Sequence, residues 1–116
     1  MVTLESIKET FKKMATDGVN TQKELLWGYF FTNKTINQLE MVADKLKERG
    51  YQKIEIYQDK DGLYWLNLEK VDIHTPESLF LICKEFNQLA LKSNLESFDG
   101  YDVGNPQKGR PITEVK

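Results

Sequence analysis

The chain of 116 residues holds one histidine, His74, and one cysteine, Cys83. Nucleophilic catalysis needs a nucleophile beside a base, and a zinc site needs three or four ligands. Two isolated side chains supply neither. His74 sits at a helix boundary, where a lone imidazole is structural or solvated. Cys83 falls on an apolar helical stripe and reads as a small core residue. The run Asp59-Lys60-Asp61-Gly62 suggests a calcium loop. With Gly62 in the sixth position, however, Tyr57 stands first and Leu68 twelfth, where carboxylates belong. The segment from Gly104 to Pro111 has the glycine spacing of a phosphate-binding loop, yet Arg110 and Pro111 occupy its lysine and hydroxyl positions. Glu40, Asp44 and Glu48 share a solvated helical face and act as acid and base only inside a pocket. No catalytic residue, cofactor or metal is expected.

Recognition is the chemistry that remains. Trp27, Tyr29, Phe31, Tyr57 and Trp65 are many aromatics for so short a sheet. They read either as core beneath the first helix or as an aromatic patch that contacts a partner. The candidate contact residues are Trp27, Tyr29, Phe31, Trp65, Asp99 and Tyr101. Asp99-Gly100 has its own structural reading, as a turn or bulge that aims the last strand.

The elements that must position these residues follow from periodicity. Leu4, Ile7, Phe11 and Met14 make one apolar stripe on a helix over 3–16, stopped by Asp17-Gly18. Residues 24–32 read as a strand, with Trp27, Tyr29 and Phe31 on one face and Leu26, Gly28 and Phe30 on the other. Both faces are apolar, which predicts a central strand covered on both sides. Ile36, Leu39, Val42, Ala43 and Leu46 define a helix over 35–49, with a capping-box spacing at Thr35 and Gln38 and Gly50 past its end. Residues 53–58 and 63–70 alternate around Asp61-Gly62 and read as a hairpin. A helix over 75–94 starts at Thr75-Pro76 and buries Leu79, Ile82, Cys83, Phe86, Leu89 and Ala90. A last short strand is predicted over 96–103.

The order is a helix followed by β-α-β-β-α-β. It predicts an α+β, ferredoxin-like sandwich: an antiparallel four-stranded sheet, two helices on one face and an added N-terminal helix. A single domain over 1–104 is expected, with 105–116 as a loose tail. This length buries about two-thirds of the open chain's surface, enough for one core.

Charge narrows the partner. Lys+Arg is 16 against Asp+Glu 18, for a net charge of −2. A duplex binder needs a basic excess, so DNA contact is not expected. A single cysteine, no long apolar run and no signal-peptide layout predict a cytoplasmic protein away from membranes. The residues set no oligomeric state.

Four features together resemble the family of regulators of ribonuclease E activity B, RraB. They are the aromatic strand Gly28-Tyr29-Phe30-Phe31, the helix Leu39-Glu40-Met41-Val42-Ala43-Asp44-Lys45-Leu46 ending in Gly50-Tyr51, the hairpin with Trp65, and Phe98-Asp99-Gly100-Tyr101. The resemblance spans roughly residues 15–103. It implies an α/β sandwich and a non-catalytic protein that binds a ribonuclease and inhibits RNA processing. The first alternative is an immunity-type inhibitor of another toxin or enzyme. The second is a small single-stranded RNA-binding module, a class that shares this element order and stacks bases on sheet aromatics.

Overall fold

The computed structural model describes residues 2–106 and the backbone of 110–111. The elements run α1 (Leu4–Thr16), β1 (Leu25–Asn33), α2 (Ile36–Lys47), β2 (Gln52–Gln58), β3 (Tyr64–Asp72), α3 (Pro76–Lys92), β4 (Ser97–Asn105) and β5 (Arg110–Pro111). The strands form one antiparallel sheet in the order β2-β3-β1-β4-β5. The fold is α+β. β1 lies centrally, as its apolar run predicts. The segment expected as a tail adds Asn105 to β4 and the two-residue β5; residues 107–109 and 112–116 lie outside the described residues.

Local chemistry starts α1 and α3 in the same way. Thr3 and Thr75 each accept the backbone N–H of a serine three residues on, and Ser6 and Ser78 accept the threonine N–H in return. Such reciprocal caps satisfy donors that the helix itself leaves orphaned. The capping box expected at Thr35 and Gln38 does not form. Asn33, buried at the end of β1, donates from Nδ2 to the Thr35 carbonyl at 3.1 Å and to Gln38 Oε1 at 3.3 Å. The Thr35 hydroxyl also donates to Gln38 Oε1, so the glutamine is drawn sideways rather than back to the cap. Asn33 Oδ1 accepts the Glu96 N–H at 3.2 Å, tying the end of β1 to the approach to β4.

All three helices lie on one face of the sheet. The sequence predicts two helices on that face and leaves the position of the added α1 open; α1 lies beside α3 on the same face, in keeping with the reading of Trp27, Tyr29 and Phe31 as core beneath the first helix. Phe11 of α1 stacks on Trp27 with ring centroids 5.8 Å apart. Phe86 of α3 is the centre of the core, meeting Tyr29, Tyr51, Phe31 and Phe98 at 5.1, 5.4, 5.5 and 5.6 Å. Each such pair adds about 0.5–1.5 kcal/mol beyond the area it buries.

The expectation of cover on both faces of β1 fails for the same reason. With every helix on one side, no described helix packs on the face of Leu26, Gly28 and Phe30. At the sheet's other margin, β2 is a free edge. Its pairing with β3 shifts at Ile54, between Lys53 and Glu55.

Candidate functional site

The open face is built by strand alternation. The residue before each inward core position of β1 and β3 points away from the helices, and the register aligns these outward residues into rows. Tyr57, Trp65, Thr32 and Ser97 make one row across β2, β3, β1 and β4. Glu55, Asn67, Phe30 and Gly100 make the next. Gln52, Glu69, Gly28 and Asp102 make the third, and Val71, Leu26 and Gly104 the fourth.

Three aromatic side chains form a ladder over the first two rows. Tyr57 and Trp65 stack at 6.3 Å with 7° between planes. Phe30 meets Trp65 edge-on at 6.5 Å. The hairpin turn fixes the indole: Trp65 Nε1 donates to Asp59 Oδ2 at 2.9 Å, while Asp59 Oδ1 accepts the N–H groups of Asp61 and Leu63 at 2.9 and 3.0 Å. These bonds, the indole's foremost, hold the Asp59 carboxyl below its ordinary range. Gly62, at φ +89°, supplies the positive dihedral that this turn needs.

Carboxylates surround the ladder. Glu69 and Asp102 face each other across Gly28. A Cβ on Gly28 would stand 2.2 Å from Asp102 Oδ1, so the aspartate side chain lies directly over the glycine. Burial, then the neighbouring Asp102 charge, raises the Glu69 pKa above the usual glutamate value. The Tyr57 hydroxyl is pushed up by burial and then by the charges of Glu55, Asp59 and Asp99. In the middle of the face, Asn67 Oδ1 is buried and accepts no hydrogen bond. An orphaned acceptor of this kind costs about 1–3 kcal/mol until a donor reaches it.

The sequence-predicted contact residues divide between the two faces. Trp65 stands on the open face. Asp99 is exposed at a β4 bulge, where the register with β1 shifts between Phe30 and Phe31. Tyr101 points inward and is half-buried, its ring 6.2 Å from Trp27. Trp27, Tyr29 and Phe31 are a correction. They are 0%, 1% and 0% exposed beneath the helices, so a partner cannot touch them in the folded chain. Their inward parity is the physical reason. Trp27 Nε1 donates to the Asp72 carbonyl at 3.0 Å, and the Tyr29 hydroxyl lies 3.4 Å from His74 Nε2.

Phe30, Asn67, Glu69 and Asp102 were missed by sequence reasoning. The signal was the hairpin's alternation, in which Leu66 and Leu68 separate Trp65, Asn67 and Glu69, the pattern of a strand with one wet face. His74 and Cys83 are packing residues. His74 Nδ1 pairs with Ser78 Oγ at 2.8 Å, and burial lowers its pKa. Burial pushes the Cys83 thiol up to about 12. Among the described residues, no group of three His, Cys, Asp or Glu side chains is placed to hold a metal ion. No described helix is long and apolar enough to cross a membrane. The site's resources are a stacking surface, a ring of hydrogen-bond acceptors and negative charge. Those resources suit binding.

No curated protein sequence matches the chain. One family model does, that of regulator of ribonuclease activity B, over residues 4–103. The match runs from the start of α1 through the inward Val103 of β4 and takes in every residue of the open face's rows except Gly104. The chain belongs to the RraB family of ribonuclease regulators.

Proposed function

We propose that this chain is a non-catalytic, cytoplasmic regulator that binds a ribonuclease of the ribonuclease E type through the open sheet face and lowers its activity. The family match over residues 4–103 carries the reading. The open face supports it, because it gathers an aromatic ladder and acceptors where a protein partner can reach them. We also read the strand order, with β3 between β1 and β2 and β4 on the far side of β1, as ferredoxin-like. In that arrangement, regulation by steric masking or by holding the partner in an inactive arrangement requires no chemistry from the regulator.

The test is an RNA cleavage assay with purified ribonuclease E and increasing amounts of this protein. Cleavage slows saturably, the two proteins co-elute on size exclusion, and the protein alone leaves RNA intact. An unchanged cleavage rate with no complex overturns the reading. RNA cut by the protein alone overturns its non-catalytic part.

A further inference from the structure

We infer that the cavity between α2 and the end of α3 binds a phosphate dianion, free or as the monoester of a small molecule, held by Lys45 and Lys92. The cavity lies on the helix side of the sheet, away from the face to which the ribonuclease is assigned above. The inference therefore goes beyond that reading and stands or falls separately.

The seam between α2 and α3 carries the argument. Toward one end, Arg49 just past α2 pairs with Glu85 of α3. At the other end, Gln38, Met41 and Lys45 of α2 and Lys92, Ser93 and Asn94 at the close of α3 line a cavity of about 290 Å³. Among the described residues, no carboxylate lines it, and neither lysine has an ion pair or a side-chain hydrogen bond. Two ammonium groups on one small cavity repel each other unless an anion comes between them. A lysine in the last turn of a helix ordinarily settles on the helix's free carbonyls. For Lys92 that role is taken. The carbonyls of Leu89, Ala90 and Leu91 already accept the N–H groups of Ser93, Leu95 and Asn94 at 3.0, 2.9 and 3.2 Å. The next polar group is a donor too. Asn33 Nδ2 and the Thr35 hydroxyl both donate to Gln38 Oε1, so the free end of this amide is Nε2 with its two N–H groups.

A phosphate or its monoester answers this set. It carries close to two negative charges and at least three acceptor oxygens, which match two ammonium groups and the donors beside them. A carboxylate has one charge and leaves one lysine uncompensated. Each phosphodiester of a nucleic-acid strand likewise brings a single charge. The volume stands at the lower end of the range of small-molecule sites, about 300–1,000 Å³, which leaves room for the phosphate and a compact body. Met41, 61% exposed, gives that body an apolar surface.

The probes are inorganic phosphate and adenosine 5′-monophosphate. The controls are adenosine, acetate and sodium chloride, all at matched ionic strength. Amide chemical shifts give the place of binding, and calorimetry gives the affinity. Both phosphates shift Gln38, Met41, Lys45, Lys92, Ser93 and Asn94 saturably, and added salt weakens them. Acetate and chloride bind about 10-fold or more weakly. A lower saturating concentration for the nucleotide identifies a phosphorylated small molecule as the ligand, and equal concentrations identify phosphate itself. The double variant Lys45→Gln with Lys92→Gln removes two exposed charges and is checked for folding by circular dichroism. It loses about 10-fold or more in affinity for both phosphates. The inference is overturned by unsaturable binding, by shifts confined to other residues, or by an undiminished affinity in the folded double variant. Adenosine, acetate or chloride acting as strongly as the phosphates also overturns it, as does a single-stranded oligonucleotide that binds these residues more tightly than either.

Discussion

Trp27→Ala and Trp65→Ala remove the same side chain from opposite faces of the sheet. Trp27 is wholly buried against Phe11, His74 and Tyr101 and donates to the Asp72 carbonyl. Truncating a buried ring of this size costs about 3–5 kcal/mol. At about 0.05–0.15 kcal/mol per residue the whole chain holds about 6–17 kcal/mol, so the change takes a large share. With an unfolding entropy of about 2.1 cal/mol/K per residue, each kcal/mol lowers the midpoint by about 4 °C, and the loss becomes about 12–20 °C. Trp65 is half-buried, with one ring stacked, one edge-on and one hydrogen bond to an exposed carboxylate. About 1–2 kcal/mol is at stake there, hence about 4–8 °C. Thermal melts followed by circular dichroism measure both, and ribonuclease binding is measured at a temperature where each variant is folded. Trp65→Ala weakens binding and Trp27→Ala, once folded, retains it. A small melting shift for Trp27→Ala together with lost binding would refute the assignment of faces.

Gly28→Ala tests the close approach of Asp102 without touching a charge. Its Cβ forces the Asp102 side chain to rotate, and stability, read from a denaturant midpoint, changes by about 1 kcal/mol or less. Glu69 has a folded pKa above its unfolded value, so the folded state binds its proton more tightly and ionisation works against folding. Glu69→Gln is therefore the more stable protein at neutral pH, and its advantage disappears in melts as the pH falls through the ordinary glutamate value of about 4.3. His74 has the opposite linkage. Its folded pKa is lowered by burial, so the unfolded chain gains protons first and stability falls as the pH drops through the ordinary histidine value of about 6.5. A His74→Gln variant melts with a flatter pH dependence in that window.

Much of the architecture is legible along the chain because each element carries its own period. The stripes of α1, α2 and α3, the hairpin about Asp61-Gly62 and the pairing of Trp27, Tyr29 and Phe31 on one side of β1 are local patterns. The bulge at Asp99-Gly100 is local too, since a glycine at φ +140° beside an exposed aspartate disrupts a ladder in a recognisable way. Which side of β1 would be left bare is a different kind of fact. Leu26 and Phe30 are as apolar as the residues behind them, so alternation alone reports two greasy faces. The decision is made by where α1 comes to rest, a packing choice among three helices that no single stretch encodes. The Glu69 and Asp102 pair is similarly hidden, because 33 positions separate the two and only the registers of β3 and β4 on Gly28 bring them opposite each other. Thr35 and Gln38 show the converse error, a correct local motif overruled by the amide of Asn33.

The kink at Ile54 bears on how the protein behaves at high concentration. A bare outer strand is a template on which other copies can add, growing toward fibrils when a straight segment of about six or seven residues is offered. Here the uninterrupted register runs only from Glu55 to Gln58, and Lys53 and Glu55 place opposite charges at the break. An incoming strand would find the ladder out of step within a few residues and would have to strip a salt-bridged lysine to continue. The irregularity thus works as a stop on self-templating, leaving the molecule able to keep one edge exposed without recruiting itself.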